Sequence, residues 1–293
     1  TLGIADLLKA SIDWSKFDSA TPEVLELKEG KHLRPHQVQA LENVTAGFKE
    51  HDRGQMIMAC GTGKTYTALK ITEAMVPKGG QVLFLVPSLA LLSQALWDWT
   101  GDAAEQLRVF AVCSDTQVSR KKGRAVDEDI DAVDLPIPPT TDPVKLAESL
   151  SVPAPDKLTV VFATYQSLDV IHRAQEKGVA SFDLLLADEA HRTTGAAKRG
   201  EESTFVRVHD NDYIRADKRL YMTATPRIYT PTAKNSKDLQ DITLASMDDQ
   251  SKFGPEFHHL TFGQAVRERL LTDYKVPTLT MPEDAMTDLY DGA

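Results

Sequence analysis

The sequence is short of cysteine and of long apolar runs, and each shortage excludes a class of protein. Two cysteines among 293 residues, Cys60 and Cys113, are too few for a disulfide framework or a zinc cluster. No stretch approaches the roughly 18 uninterrupted apolar residues of a membrane span, and the N-terminus carries no basic-then-apolar leader. We therefore expect a globular, cytoplasmic protein with reduced thiols and no membrane partner.

The sequence also lacks an excess of positive charge. Its formal net charge is −10, from 43 acidic and 33 basic residues, which argues against a surface that is basic all round. A protein that holds nucleic acid in one groove needs only local positive potential, so the acidity weakens that hypothesis without excluding it. The basic run Arg120–Arg124 could meet a phosphate backbone, but the acidic run Asp127–Asp134 beside it favours a solvated loop.

Short apolar runs alternate with helical patterns from Leu33 onward. Buried strands that alternate with helices predict an α/β fold with a mostly parallel sheet and helices on both faces. The runs interpreted as strands are Met56–Ala59, Val82–Val86, Val109–Val112, Leu158–Ala163, Leu184–Ala187 and Leu220–Met222.

The ends and two internal segments depart from this alternation. We expect residues 1–25 to be a connector from an upstream domain, 26–276 to be one domain and 277–293 to be a linker. Charged and proline-containing sequence predicts an irregular insertion at 114–157, and a second irregular region spans 194–212. Because the first residue is not methionine and the last residues give no helix signal, we expect a piece of a longer polypeptide.

A glycine loop between a predicted strand and a predicted helix is typical of phosphate binding. Glycines let backbone N–H groups face the phosphates, and the helix N-terminus adds positive potential. Lys64 would reach the terminal phosphates of ATP and Thr65 would reach Mg²⁺. Met58 replaces the first glycine of the usual pattern, and a glycine-rich turn with an incidental lysine is the alternative. The residues predicted to bind ATP here are Cys60, Gly61, Thr62, Gly63, Lys64 and Thr65.

A pair of acidic residues follows the predicted strand Leu184–Ala187. This strand delivers Asp188 and Glu189 at its carboxyl end, where ligands bind in open α/β sheets. Asp188 would hold the Mg²⁺ shell, and Glu189 would orient or deprotonate the water that attacks ATP. Two acids after an apolar run often merely open a loop, but their pairing with the glycine loop favours the catalytic interpretation.

Several segments in order resemble the motifs of superfamily 2 helicases. Asp188–His191 (Asp-Glu-Ala-His) and 221–226 (Tyr-Met-Thr-Ala-Thr-Pro) look like motifs II and III. The segments 33–40, 84–88 and 162–168 resemble the segment before motif I, motif Ia and a later nucleic-acid-contacting motif. The resemblance covers most of the chain and implies a RecA-like first lobe of an ATPase that uses ATP and Mg²⁺.

This resemblance also implies roles for individual residues. Short hydroxyl and amide side chains at loop tips can bond phosphates without reading sequence. Capping or packing roles for Ser88, Thr223, Pro87 and His191 are the plainer alternatives. The residues implied to bind ATP outside the glycine loop are Arg34 and Gln37, of which Gln37 would read the adenine edge. Those implied to follow one nucleic-acid strand are Pro87, Ser88, Thr164 and Gln166. Those implied to couple nucleotide state to the groove are His191, Thr223, Ala224 and Thr225.

Within that family, two segments are similar to the ATPase of restriction enzymes. They are 188–195 and 262–276, and the similarity is to single-polypeptide type ISP restriction-modification enzymes, then to type I motor subunits. It implies duplex DNA as partner, with a second RecA-like lobe, a nuclease and a methyltransferase in the same polypeptide. An RNA or single-strand DNA helicase lobe and a nucleotide-binding module without turnover stay open as alternatives.

Overall fold

The computed structural model describes residues 12–21, 23–25, 30–113, 135, 137–198, 205–229 and 242–273. Its α-helices are α1 (Pro35–Glu50), α2 (Lys64–Met75), α3 (Leu89–Asp102), α4 (Pro143–Ser151), α5 (Leu168–Glu176), α6 (Gln250–Phe253) and α7 (Phe262–Arg267). Its strands are β1 (Arg53–Met58), β2 (Gln81–Val86), β3 (Arg108–Val112), β4 (Thr159–Thr164), β5 (Leu184–Ala187), β6 (Gly195–Lys198), β7 (Arg219–Thr223), β8 (Ile242–Ala245) and β9 (Glu256–Leu260). None of the helices within these ranges is long and apolar enough to cross a membrane.

Seven of the described strands form one sheet in the order β3-β4-β2-β5-β7-β1-β9, and every pairing in it is parallel. All six strands predicted from apolar runs belong to it, and the predicted α/β class is confirmed. Because the strands are parallel, their carboxyl ends lie along the same edge of the sheet. The strands β6 and β8 form a separate antiparallel pair.

Alternate residues of the central strands enter two different hydrophobic layers. In β2, Val82, Phe84 and Val86 face the layer that contains α1, α2 and α3, whereas Leu83 and Leu85 face the layer of α4 and α5. This period of two explains why these strands read as continuous apolar runs, since both of their faces are buried. The helices therefore cover both faces of the sheet, as predicted.

The strand β9 was not predicted, because only Phe257 and Leu260 of its five residues are strongly apolar. It is an edge strand that pairs with β1, and its exposed residues alternate with buried ones. The Phe257 ring takes the space that side chains at Gly47 and Gly54 would need. A Cβ atom at Gly54 would lie 2.2 Å from this ring. The two glycines therefore allow β9 to dock.

The segment 114–157 was predicted to be irregular, but part of it is the helix α4. The Asp142 carboxylate accepts hydrogen bonds from the Val144 and Lys145 N–H groups, and Pro143 fills the first helical position. The prolines that argued against regular structure thus include one that begins a helix. Residues 114–134 and 136, with the basic run, lie outside the described residues.

The other boundary predictions are only partly covered by the structure. The second segment predicted to be irregular, 194–212, contains β6 and a 3₁₀ turn at Val206–His209, while 199–204 lie outside the described residues. Within the described part of the predicted connector, the chain forms a 3₁₀ turn at Trp14–Lys16. The predicted linker lies outside the described residues, so the domain limits stay predictions.

Arg219 is a buried cation at the amino end of β7, with 1% of its surface exposed. Its guanidinium donates hydrogen bonds to the backbone carbonyls of Val208 (3.3 Å), Ala216 (2.9 Å) and Ile214. These bonds tie the chain between residues 208 and 216 to the sheet.

We expect Arg219→Ala to lower the free energy of unfolding by about 3 kcal/mol or more, because it leaves buried carbonyls without donors. Urea unfolding measures this loss. The matched control is Arg215→Ala: Arg215 is exposed and also donates to two carbonyls, of Gln175 and Val179, which water can reach more readily. Equal losses from the two variants would contradict the assigned role of Arg219.

Candidate functional site

The sheet brings the glycine loop and the acidic pair to the same edge. β1 leads into Cys60–Thr65, β5 leads into Asp188 and Glu189, and β7 lies between these two strands. Burial and then the charge of Glu189 raise the pKa of Asp188, and the positive charge of Lys64 offsets part of this rise, as expected of neighbouring groups. Two segments far apart in sequence therefore share one site.

The glycine loop adopts a conformation that depends on its two glycines. Gly61 and Gly63 have φ angles of +80° and +88°, in the left-handed region that side chains other than glycine rarely adopt. Gly63 caps α2 without a side-chain hydrogen bond. The first N–H groups of α2 therefore have no side-chain cap and are oriented for an anion.

The side chains of the loop are arranged around its backbone. Thr62 Oγ1 donates to the Ala59 carbonyl at 2.7 Å, and Lys64 Nζ lies 3.4 Å from the Met58 carbonyl. Cys60 is exposed, and Thr65 is half-buried in the first turn of α2. The Met58 side chain is fully buried in the core, which explains how a large residue replaces the usual glycine without blocking the loop.

The start of α1 is fastened to the glycine loop. Gln37 Oε1 accepts a hydrogen bond from the Arg34 N–H at 2.9 Å, and Gln37 Nε2 lies 3.4 Å from the carbonyls of Thr62 and Gly63. A Cβ atom at Gly63 would lie 2.4 Å from Gln37 Nε2, so this contact also requires glycine. Arg34 is exposed, and the adenine-reading role of Gln37 stays a prediction.

His36 is a loop contact that sequence reasoning missed. Its Nε2 lies 2.9 Å from the Thr62 carbonyl, and the residue is 5% exposed. The sequence feature that could have indicated this contact is the position of His36 beside Gln37, at the start of an amphipathic helix. A histidine there is equally compatible with a core role.

The acidic turn holds a carboxylate that lacks a partner. Asp188 Oδ1 is buried and has no hydrogen-bond partner among the described residues. Burial first, and then the charge of Glu189, raise the pKa of Asp188 to about 6. A buried acceptor of this kind fits a Mg²⁺ ion, which needs one or two protein carboxylates and takes other oxygens from phosphates and water.

Glu189 has an unusual backbone conformation. Its φ and ψ angles are 48° and 45°, a left-handed conformation that is uncommon for a residue with a side chain. Such residues are frequent at active sites. The conformation turns the chain sharply after β5 into the 3₁₀ turn Ala190–Thr193.

The four residues predicted to couple nucleotide and nucleic acid lie at the acidic turn and at the end of β7. His191 Nδ1 lies 2.9 Å from Thr223 Oγ1 and 3.3 Å from Glu189 Oε2. Thr223 Oγ1 also accepts from the Thr225 N–H at 3.1 Å, and Ala224 lies between them. Burial is the main cause that lowers the pKa of His191. His191 therefore bridges the acidic turn and the end of the neighbouring strand.

The four residues predicted to contact nucleic acid follow the adjacent strands β2 and β4. Ser88 Oγ accepts from the Leu91 N–H at 3.3 Å and so caps α3, the plainer of its two alternatives. Pro87 directly follows β2 and is buried. Thr164 is also fully buried, with its Oγ1 2.7 Å from Ser167 Oγ, while Gln166 is half-buried. The structure brings these residues to the edge that carries the loop, and their role stays a prediction.

Comparison with known proteins identifies the family. Residues 30–228 match the family described as "Type III restriction enzyme, res subunit". This match covers more than half of the chain, and the chain belongs to that family. A probable helicase of African swine fever virus is 33% identical over 204 residues, which are 68% of this chain and 20% of the viral protein.

Two solved structures are similar to this chain in both sequence and fold. The ATP-dependent type ISP restriction-modification enzyme LlaBIII bound to DNA is 43% identical, with a TM-score of 0.77 over 94% of this chain and 18% of that one. A nuclease-deletion mutant of the type ISP enzyme LlaGI in complex with a DNA substrate mimic is 39% identical, with a TM-score of 0.61, and covers 82% of this chain. The chain spans about a fifth of the length of these relatives.

The chain is therefore a helicase-like motor domain related to type ISP restriction enzymes. The predicted resemblance and the predicted RecA-like lobe are confirmed. The roles of the individual site residues are not tested by these comparisons.

The raised pKa of Asp188 predicts how stability depends on pH. Between the ordinary pKa of 3.8 and the folded pKa of about 6, the folded chain binds more protons than the unfolded chain. Stability is therefore lost as the pH rises through this window. Without Mg²⁺ or nucleotide, we expect Asp188→Asn to stabilise the protein by about 2 kcal/mol at pH 7.5 and to have little effect at pH 4.

Urea unfolding at the two pH values measures this difference. The control variant is Asp212→Asn, because Asp212 is exposed and lies outside the glycine loop and the acidic turn. We expect this variant to change the free energy of unfolding at pH 7.5 by less than about 0.5 kcal/mol. An Asp188→Asn variant that is less stable than the wild type at pH 7.5 would contradict the prediction.

Proposed function

We propose that this chain is the first ATP-binding lobe of an ATP-dependent translocase that moves along duplex DNA in a restriction-modification enzyme. The observation that carries this proposal is the meeting of the glycine loop and the Asp188–Glu189 turn at the carboxyl edge of the parallel sheet. Nucleoside triphosphates bind at such edges because loops and helix N-termini converge there.

In the proposed reaction, the first N–H groups of α2 hold the phosphates of ATP. Lys64 leaves the Met58 carbonyl, with which it makes only a long contact of 3.4 Å, and moves to the terminal phosphates. Thr65 and Asp188 would hold Mg²⁺, which when bound neutralises the charge that develops on the transferred phosphoryl group. Cys60, Gly61, Thr62 and Gly63 form the cradle, and Arg34 and Gln37 lie beside it.

Glu189 would orient or deprotonate the attacking water. His191 contacts both the Glu189 carboxylate and the Thr223 hydroxyl, so a change in nucleotide state at Glu189 can reach the end of β7. Thr223, Ala224 and Thr225 would pass this change to the DNA groove. Glu189 and His191 belong to the Asp-Glu-Ala-His box at Asp188–His191, and 223–225 are its coupling segment.

Duplex DNA is favoured over RNA as the partner by the related enzymes. The two similar structures are type ISP enzymes with DNA or a DNA substrate mimic, and they resemble this chain more strongly than the viral helicase does. Pro87, Ser88, Thr164 and Gln166 would follow the backbone of one strand. Contact by Thr164 requires its hydrogen bond with Ser167 to open. We further propose a cytoplasmic location and a polypeptide that also carries a second RecA-like lobe, an endonuclease and a methyltransferase.

ATP hydrolysis by the full-length protein with duplex DNA, single-stranded DNA, RNA or no polymer tests the proposal. We expect strong stimulation by duplex DNA alone. Lys64→Ala and Glu189→Gln should each lower kcat/KM by roughly 100-fold or more, since each removes a group that acts on the transition state.

The matched control is Lys70→Ala in the same helix as Lys64. Lys70 Nζ bonds to the Glu73 carboxylate and the Asp102 carbonyl, away from the loop, so we expect the wild-type rate. Stimulation by RNA, or by single strands only, would contradict the duplex-DNA translocase and support an RNA or single-strand DNA helicase. If no polymer stimulates hydrolysis, the result would support the alternative that this chain is a nucleotide-binding module without turnover.

The isolated 293-residue chain provides a separate test of whether one lobe suffices. Motors of this kind bind ATP between two lobes, so we expect the chain alone to bind Mg-ATP weakly and to hydrolyse it very slowly. Isothermal titration and a steady-state ATPase assay measure both. Rapid DNA-stimulated turnover by the isolated chain would contradict the need for a second lobe.

A further inference from the structure

Tyr165 lies directly beneath the acidic turn and is fully buried. Its hydroxyl donates a hydrogen bond to the Asp188 backbone carbonyl, with a distance of 2.7 Å. Its ring packs against Phe205, with ring centroids 5.1 Å apart. Burial first, and then the charge of Asp188, raise the pKa of Tyr165, so the hydroxyl stays a donor at neutral pH.

The hydrogen bond of Tyr165 supports a part of the chain that is under backbone strain. Glu189, the residue after Asp188, has the left-handed φ angle of 48°. A side chain in this conformation persists only where its surroundings hold it. Two backbone bonds also hold this turn: Asp188 N–H to the Leu85 carbonyl (2.8 Å) and Arg192 N–H to the Glu189 carbonyl (2.9 Å). The side chain of His191 ties the turn to Thr223 of β7. Tyr165 adds a side-chain donor from the 3₁₀ turn that follows β4.

Tyr165 also belongs to the loop that follows β4. It lies between Thr164 and Gln166, both proposed to contact DNA, and it begins the 3₁₀ turn Tyr165–Ser167. The Thr164 hydroxyl bonds to Ser167 at the other end of this turn. The Thr164 hydroxyl and the Tyr165 hydroxyl are therefore held by bonds at the same short turn, one within the turn and one to the acidic turn.

We propose that Tyr165 is a positioning residue that links DNA contact at the β4 loop to the placement of the Glu189 carboxylate. The link is the hydrogen bond from its hydroxyl to the Asp188 carbonyl, which belongs to the peptide group that joins Asp188 to Glu189. This inference rests on the proposed function, and it names the contact through which DNA would regulate hydrolysis.

The test is the Tyr165→Phe variant of the full-length protein, which keeps the buried ring and removes only the hydroxyl. We expect kcat with saturating duplex DNA to fall about tenfold, the rate equivalent of one buried hydrogen bond. KM for ATP should stay within about twofold, because the glycine loop is untouched. The ratio of DNA-stimulated to basal kcat should fall at least about fivefold, since the variant loses the link and not the carboxylates.

The control variant is Tyr213→Phe. The Tyr213 hydroxyl is buried and has no hydrogen-bond partner among the described residues, and its ring stacks on His172 with centroids 4.2 Å apart. We expect it to keep the wild-type stimulation ratio. Thermal unfolding of both variants verifies that each is folded at the assay temperature.

The outcomes separate this inference from the function on which it rests. A stimulated wild type with an equally stimulated Tyr165→Phe variant overturns the role of Tyr165 alone. Equal losses of basal and stimulated kcat also overturn it, because they indicate a structural role without coupling. A wild type that DNA does not stimulate overturns the proposed function, and this inference with it.

Discussion

The parallel pairing of β7 with both β1 and β5 is the constraint on which the site depends. Met56 pairs with Met222, and Leu186 pairs with Leu220, so the two outer strands are held in fixed register on either side of β7. Neighbouring strands lie ~4.8 Å apart, and the glycine loop and the acidic turn are therefore separated by about two strand spacings. A shift of register in either pairing would move Asp188 relative to Lys64. The buried alternate faces of these strands fix the register, because a shift by one residue would exchange the two core layers.

The site carries two features that oppose stability. Glu189 adopts a left-handed conformation, and Asp188 is a buried carboxylate whose Oδ1 lacks a partner among the described residues. A protein selected only for stability would have little reason to keep either feature. Both make sense if a cation and a nucleotide complete the site. The Tyr165 hydroxyl donates to the Asp188 carbonyl, the Leu85 carbonyl accepts from the Asp188 N–H, and Thr223 bonds to His191; together these bonds hold the geometry that those features require.

Much of the fold and part of the site were predictable from the sequence. β2, β4 and β5 are buried on both faces, so the central residues of each form a run of Val, Leu, Phe and Ala that is easily found in the sequence. The loop Cys60–Thr65 and the acidic pair have fixed local spacing. The strand β9 was not predicted, because an edge strand needs few apolar residues and so leaves no apolar run in the sequence. The contact of Tyr165 with Asp188 was not predicted, because Asp188 lies 23 residues further on and no local pattern encodes the contact.

The net charge of −10 constrains how such a domain can hold DNA. Long-range attraction is weak for an acidic chain, so the proposed function relies on short-range donors at the carboxyl edge of the sheet. The groups that follow β2 and β4 at this edge are hydroxyls, amides and backbone N–H groups rather than a row of lysines. Such contacts are individually weak and indifferent to sequence, and they can break one at a time. In the proposed function, the fully buried Thr164 and the half-buried Gln166 fit this picture, because a contact that forms only when a turn moves can be made and released once in every ATPase cycle.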